Sequence, residues 1–261
     1  MVDNFEVTSS DGTRIGCHSS GAGPPLVLVH GTSGTHVDLL LPHLVEKFTL
    51  IAIDRRGCGK SGDAPGPHSI EHEFEDVAAV VNSVGERVSL FGHSYGALVA
   101  IGAAPLARNL EKLVLYEAPL RVSNVSDVFL ERLDDLARRG DLETLLTEFY
   151  SIDWIGLTPD QLDAARTAPD WGLKVAAAAT IPRELRAARE WDPNKKDYQE
   201  FTTPTLVLLG SESPEFFKQA TKDATALLKD SRVVILQGQG HIATGSAPEM
   251  VASELTAFLS Q

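Results

Sequence analysis

The chain has 261 residues, of which 43% are hydrophobic, so it is long enough for one large globular domain or a domain with an inserted subdomain. Its formal net charge of −13 argues against nucleic acid and anionic membranes as partners, because both are polyanions. The sequence shows no apolar run of the roughly 20 residues that cross a membrane and no secretory signal, so we expect a cytoplasmic protein.

The first 119 residues alternate between strand and helix patterns. A hairpin is predicted around Asp11 and Gly12, because two short strand patterns flank this turn dipeptide. A helix is predicted over 69–84, with Ser69 as its N-cap and apolar side chains at helical spacing. The predicted strands of this part are 5–9, 13–19, 26–30, 48–54, 87–91 and 112–117, and several are apolar throughout, as in buried parallel strands.

Strand patterns vanish between residues 120 and 200. This stretch has helical patterns rich in Leu, Ala, Arg and Glu, interrupted by glycine and proline. We predict that it is a helical cap, inserted into a core made of 1–119 and 201–261.

Alternation resumes after residue 200, with strands predicted at 205–209 and 232–236 and helices at 214–228 and 246–259. Ser246 is the expected N-cap of the last helix. Because strands and helices alternate on both sides of the cap, we predict an α/β fold with one mostly parallel, doubly wound sheet.

Ser94 is the predicted nucleophile. It lies at the centre of a G-x-S-x-G pattern bounded by Gly92 and Gly96, between an apolar strand pattern and a small-residue helix pattern. A sharp strand-to-helix turn holds its central residue in a strained conformation that projects the side chain. The flanking glycines leave room for that turn. The alternative is a purely structural turn.

His241 is the best candidate for the base that removes the serine proton. It follows the last predicted strand, and Ser94 emerges at the same carboxyl edge of the sheet. The alternative is a histidine in a surface loop.

The oxyanion donors are expected to be the backbone N–H of Tyr95 and that of Thr32, in the glycine-rich turn over 30–34.

These motifs together resemble the α/β-hydrolases, in the group of cap-bearing esterases, haloperoxidases and epoxide hydrolases. The resemblance rests on His30-Gly31, the segment 54–61, the pattern around Ser94 and Gly240-His241. It implies a mainly structural loop over 54–61, including Arg55 and Arg56. It also implies a triad acid, usually Asp, just after the strand that ends at Leu209.

The chain departs from that pattern, because Ser213 stands where the aspartate is expected. Two carboxylates are candidates for its role, Glu117 and Glu212. Glu117 ends the preceding core strand, where some members of the family carry their acid, and a carboxylate on so apolar a strand needs a partner. Glu212 is adjacent to Ser213, but a shift of one residue changes the direction of the side chain. We therefore favour Glu117.

The predicted function is hydrolysis of a carboxylic ester, lactone or related acyl bond of a small molecule through an acyl-enzyme, without a cofactor or metal. An acyltransferase, a lyase or cyclase of a natural-product pathway, and a non-catalytic binding protein are the alternatives. A serine at this turn, rather than an aspartate, disfavours epoxide hydrolysis and dehalogenation. The sequence does not indicate an oligomeric state.

The remaining candidates concern the pocket and the polar surface. Gly31, His36 and Trp154 are expected to line the substrate pocket. The two cysteines are most simply explained as reduced thiols, because they have no metal-ligand spacing. Three further histidines are predicted at the surface: His18, His68 and His72.

Overall fold

A computed structural model describes residues 3–34, 40–64, 66–85, 87–123, 125–151, 155 and 157–261. These residues form one eight-stranded sheet. Its strands are β1 (Asp3–Thr8), β2 (Arg14–Gly21), β3 (Pro25–Val29), β4 (Thr49–Ile53), β5 (Val88–His93), β6 (Leu110–Tyr116), β7 (Thr205–Gly210) and β8 (Ser231–Leu236). Their order across the sheet is β1-β2-β4-β3-β5-β6-β7-β8. β1 and β2 form the predicted antiparallel hairpin, and β3 to β8 run parallel to one another.

Helices cover both faces of this sheet and connect its parallel strands. Their bounds are α1 (Leu41–Leu44), α2 (Ile70–Ser83), α3 (Tyr95–Ala103), α4 (Asp127–Arg139), α5 (Leu142–Tyr150), α6 (Pro159–Arg166), α7 (Trp171–Ala177), α8 (Ile181–Glu190), α9 (Glu215–Leu227), α10 (Ala243–Ser246) and α11 (Pro248–Leu259). Ser69 caps α2 as predicted, since its hydroxyl accepts the Glu71 N–H. The predicted mostly parallel, doubly wound sheet is confirmed.

The side chains of β3 show why its sequence is apolar throughout. Val27 and Val29 point into a buried cluster that includes residues of α2, α3 and α9. Leu26 and Leu28 point to the opposite face and pack with residues of α1 and α11. A parallel strand covered on both faces has no solvent side on which a polar residue would be favoured.

The described residues between β6 and β7 form helices α4 to α8 and short 3-10 turns, and contain no strand. Their apolar side chains join the cluster on the α2 and α3 face of the sheet, where Trp191 packs edge-on against Phe74 at 5.0 Å between ring centroids. The helical character of this segment therefore follows the sequence pattern. Its status as a separate cap over 120–200 stays a prediction.

Two predictions about polar residues are wrong. Ser246 does not cap the last helix, because Pro248 occupies its first turn and Ala247 precedes it, while Ser246 ends α10. The His18 and His68 side chains are not at the surface: they are 12% and 7% exposed and lie 2.9 and 3.3 Å from the buried carboxylates of Asp54 and Glu73.

Both cysteines, Cys17 and Cys58, are buried free thiols, as the sequence suggested. Within the described part of the chain, no helix combines the length and the apolar character needed to cross a bilayer.

Candidate active site

Ser94 lies in the sharp turn between β5 and α3. Its backbone has φ 55° and ψ −127°, which a residue with a side chain rarely adopts. The turn requires glycine at Gly96, because a Cβ there would lie 2.3 Å from Val29 O and 2.4 Å from His30 O. Gly92 is equally constrained, with Ala97 Cα 2.6 Å from its would-be Cβ. The strand and helix therefore approach closely enough to present the Ser94 hydroxyl.

The structure brings Ser94, His241 and Glu117 together in one hydrogen-bonded row. His241 Nε2 is 3.0 Å from Ser94 Oγ, and His241 Nδ1 is 2.6 Å from Glu117 Oε2. His241 is 7% exposed and Glu117 is 1% exposed, so water hardly competes for these contacts. A hydroxyl, an imidazole and a carboxylate in this order can ionise the hydroxyl and stabilise the resulting imidazolium.

Glu117 is held by the turn that follows β7. Its Oε1 accepts the Gly210 N–H at 2.8 Å and the Ser213 hydroxyl at 2.5 Å, which leaves Oε2 for His241. Ser213 therefore stands at the expected position of the acid and donates to the carboxylate that came from β6 instead. The alternative, Glu212, is exposed and accepts from the Ser211 hydroxyl at 3.0 Å. The structure does not bring Glu212 to His241.

The loop that carries His241 is fixed by residues that the sequence did not single out. The Tyr116 hydroxyl donates to Gly240 O and accepts the Ala243 N–H at 3.3 Å. The Phe217 ring stacks on the imidazole at 4.0 Å between centroids. A tyrosine at the end of a buried strand needs a partner for its hydroxyl, and this was the signal available for Tyr116. Phe217 on α9 gave no local signal.

The glycine-rich turn over 30–34, called the oxyanion loop below, lies against Ser94. A Cβ at Gly31 would be 2.9 Å from Ser94 Cβ. Tyr95 opens α3, so its N–H is one of those that the helix leaves without an internal carbonyl. Tyr95 follows Ser94 directly, and Thr32 follows Gly31 in the oxyanion loop; their roles as oxyanion donors stay a prediction. His36 and Trp154, the other expected pocket residues, lie outside the described residues.

Arg55 and Arg56 are both 2% exposed, and each is paired with carboxylates. Arg56 makes a two-pronged contact with Asp76, with both distances 2.7 Å, and a third contact with Asp11 at 3.0 Å. The contacts of Arg56 are those of a structural residue, the role expected of the segment 54–61. Among the described residues, no group of three or more His, Cys, Asp or Glu side chains is placed to hold a metal ion.

Two further histidines lie next to the site without belonging to the row: His30 is buried and His93 is half-buried. Burial, followed by the nearby Arg55 charge, lowers the pKa of His30 from 6.5 to about 3. Burial and then His241 lower the pKa of His93 to about 3 as well. Both rings are therefore neutral near pH 7. His93 Nε2 then donates to His241 O at 2.8 Å and helps to fix the loop.

Because the pKa values of both histidines are lowered in the fold, we expect the protein to lose stability in mild acid. Each binds a proton more readily in the unfolded chain, near pH 6.5, than in the folded one, so the free energy of unfolding falls as pH decreases from 6.5 towards 3. The expected slope is about 1.4 kcal/mol per pH unit for each histidine. Urea denaturation at pH 7.5, 6.5, 5.5 and 4.5 measures it.

A matched variant assigns the effect to one ring. In His93→Gln the side-chain amide can still donate to His241 O, but it cannot titrate. The free energy of unfolding should therefore change with pH by about 1.4 kcal/mol per pH unit less than in the wild type. Burial raises the pKa of Glu73, but the neighbouring Arg55 charge more than offsets this and lowers it below 4.5, so Glu73 contributes only below about pH 4.5. A constant free energy of unfolding between pH 6.5 and 4.5 would contradict the prediction.

Known proteins resemble this chain over nearly its whole length. A model described as the alpha/beta hydrolase family matches residues 26–254, which include Ser94, Glu117 and His241. A non-heme haloperoxidase from Rhodococcus erythropolis is 29% identical, covering 97% of this chain and 98% of that protein. A 2-(acetamidomethylene)succinate hydrolase from Mesorhizobium japonicum is 25% identical, covering 92% and 89%. A solved structure, an alpha/beta hydrolase from Sphaerobacter thermophilus, is 32% identical with a TM-score of 0.84, covering 98% and 100%.

Proposed function

The chain belongs to the alpha/beta hydrolase family, and from this premise we propose that it is a serine hydrolase of a carboxylic ester, lactone or related acyl bond in a small molecule. The observation that carries the proposal is the row Ser94 Oγ, His241 Nε2 and Glu117, with contacts of 3.0 and 2.6 Å. A hydroxyl needs such a base and such a carboxylate to become a nucleophile.

In the first half of the reaction, Ser94 Oγ bonds to the substrate carbonyl carbon while its proton passes to His241 Nε2. The carbonyl π electrons move onto oxygen, and the N–H groups of Thr32 and Tyr95 stabilise this oxyanion. Glu117 stabilises the imidazolium without taking its proton. The oxyanion then collapses, the bond to the alcohol oxygen breaks, and His241 returns the proton to that leaving group.

In the second half, water replaces the alcohol. His241 takes a proton from water as the water oxygen bonds to the acyl carbon, and the same N–H groups hold the second oxyanion. Its collapse breaks the bond to Ser94 Oγ, which regains the proton from His241. The products are an acid and an alcohol, or a hydroxy acid from a lactone, and the enzyme is restored.

Two features support a nucleophilic enzyme over a binding protein on the same fold. The carboxylate missing at Ser213 is replaced in space by Glu117, so the row is complete. Ser94 is also kept in a backbone conformation with φ 55°, and such strain is typical of residues that must present a side chain. The relatives carry different activities in their names, a haloperoxidase and a succinate hydrolase, so substrate choice needs its own test.

A fluorophosphonate probe tests the proposal. We expect covalent labelling at Ser94, mapped by mass spectrometry, and no labelling of Ser94→Ala or His241→Ala. A panel of p-nitrophenyl esters and lactones of graded chain length should then identify substrates that are hydrolysed. The absence of both labelling and hydrolysis would overturn the nucleophilic mechanism. Labelling with turnover only in the presence of an acyl acceptor other than water would replace hydrolysis by acyl transfer.

A further inference from the structure

The peptide group between Gly31 and Thr32 is anchored on its carbonyl side. Gly31 O accepts from His30 Nδ1 at 2.9 Å, from the Gly34 N–H at 3.0 Å and from Arg55 Nη2 at 3.3 Å. In a trans peptide the C=O and the following N–H point in opposite directions. Donors that fix Gly31 O therefore also fix the direction of the Thr32 N–H, one of the two proposed oxyanion donors.

Arg55 connects this peptide to the second proposed donor. Its Nε also donates to His30 O at 3.0 Å, and Nη1 donates to Glu73 at 2.7 Å. The guanidinium lies 4.7 Å above the centre of the Tyr95 ring, and the Tyr95 hydroxyl donates to the other oxygen of Glu73 at 3.1 Å. One buried side chain thus contacts Gly31 O, on the peptide that carries the Thr32 N–H, and the ring of Tyr95.

Arg55 is in turn held from the helical segment between β6 and β7. Glu184 of α8 is 1% exposed, and its Oε1 accepts from Arg55 Nη2 and from the Thr180 hydroxyl, both at 2.7 Å. Its Oε2 is buried with no hydrogen-bond partner in the described part of the chain. A half-satisfied buried carboxylate is costly, so stability alone accounts poorly for a charge at this position.

A second contact joins the helical segment to the oxyanion loop. The Tyr150 hydroxyl of α5 lies 3.1 Å from Ser33 Oγ. Ser33 is fully buried and has φ 51°, so the loop is kept in a strained conformation directly after Thr32. The helical segment therefore meets the loop both through Tyr150 and through the pair of Glu184 and Arg55.

We propose that Arg55 is a positioning residue that aims the Thr32 N–H at the oxyanion, and that Glu184 holds Arg55 in place, so that the seating of α8 on the core sets the oxyanion hole. This rests on the proposed function, in which an oxyanion forms beside Ser94. The guanidinium also polarises the Gly31 carbonyl, which strengthens the N–H of the same peptide as a donor. Because the oxyanion exists only along the reaction path, the effect belongs to kcat rather than KM.

The activity test compares two neighbouring arginines. In Arg55→Lys a single ammonium group replaces the guanidinium that donates to two carbonyls and two carboxylates. We expect kcat to fall roughly 10- to 100-fold, with KM changed less than about threefold. Arg56→Lys is the matched control, since Arg56 is as buried and as paired but contacts Asp76 and Asp11 rather than the oxyanion loop. Its kcat should stay within about threefold of wild type.

Ser94→Ala distinguishes failure of the proposed function from failure of the positioning role. If Ser94→Ala keeps its esterase activity, the proposed function fails. If Ser94→Ala is inactive while Arg55→Lys keeps its kcat, or if Arg56→Lys loses as much kcat as Arg55→Lys, the positioning role alone fails.

A second measurement needs no activity. Hydrogen exchange at residues 30–34 is compared in Glu184→Gln and in Asp63→Asn, which removes the charge from another ion pair to α8, Asp63 with Arg183 at 2.6 Å. We expect the Gly34 amide, which donates to Gly31 O, to exchange at least about fivefold faster in Glu184→Gln only. Unchanged exchange in Glu184→Gln, or equal acceleration in both variants, would overturn the link between α8 and the loop.

Discussion

Glu117→Gln is expected to lower kcat about 10⁴-fold while KM changes little. The reason lies in the hydrogen bonds that hold Glu117. The Gly210 N–H and the Ser213 hydroxyl both donate to one carboxylate oxygen, so the amide oxygen of Gln must take that position. The amide NH₂ then faces His241 Nδ1 and forces the imidazole into the tautomer that carries its proton on Nε2. That tautomer cannot accept the Ser94 proton.

Steady-state kinetics on an ester identified from the panel measures this loss. Glu212→Gln is the matched control, because Glu212 is the nearby exposed carboxylate that pairs with Ser211, and it should retain wild-type kcat. The reverse pattern, with Glu212→Gln inactive and Glu117→Gln active, would transfer the role of acid to Glu212. Loss of folded protein in Glu117→Gln is checked by circular dichroism before the kinetics are compared.

Gly96→Ala should lower the free energy of unfolding by about 3 kcal/mol. The new Cβ would meet two backbone oxygens of the β3 region, Val29 O at 2.3 Å and His30 O at 2.4 Å. Backbone atoms cannot move aside as a flexible side chain can, so α3 must shift away from β3. That clash outweighs the gain of about 1 kcal/mol that alanine brings to a helix. The expected fall in Tm is roughly 6–12 °C, measured by thermal denaturation.

Gly172→Ala provides the comparison for this prediction. Gly172 is an exposed residue of α7, and a Cβ there has no neighbour within 4 Å. The same substitution should therefore leave stability unchanged or raise it by up to about 1 kcal/mol. Equal stability of Gly96→Ala and wild type would mean that the approach of α3 to β3 tolerates a side chain.

Much of the fold was predictable because its signals are local. Apolar runs such as the one that became β3 report burial on both faces of a parallel sheet, whatever the rest of the chain does. Boundaries were less predictable, as the last helix shows. Ser246 was predicted as the N-cap residue of the last helix, but the fixed φ of Pro248 decides where α11 begins. Individual helices between β6 and β7 were not predictable from composition alone.

The candidate site likewise has parts that the sequence predicts and parts that it does not. The motifs around Ser94 and His241 are short, and the structure places them together as the sheet edge predicts. Ser213, by contrast, meets Glu117 across 96 residues of chain, and Arg55 meets Glu184 across 129. Contacts so distant depend on how strands and helices pack. Neither local pattern nor residue type identifies the partner in advance.

The three residues of the proposed triad all lie outside the helices between β6 and β7, since Glu117 precedes them and His241 follows them. If these helices form the cap predicted from the sequence, random substitution in them changes what reaches the nucleophile while the reacting atoms stay on the core. Tyr150 and Glu184 are exceptions, because they contact Ser33 and Arg55. A combinatorial library that keeps these two residues fixed should yield variants that diverge in substrate preference and still turn over.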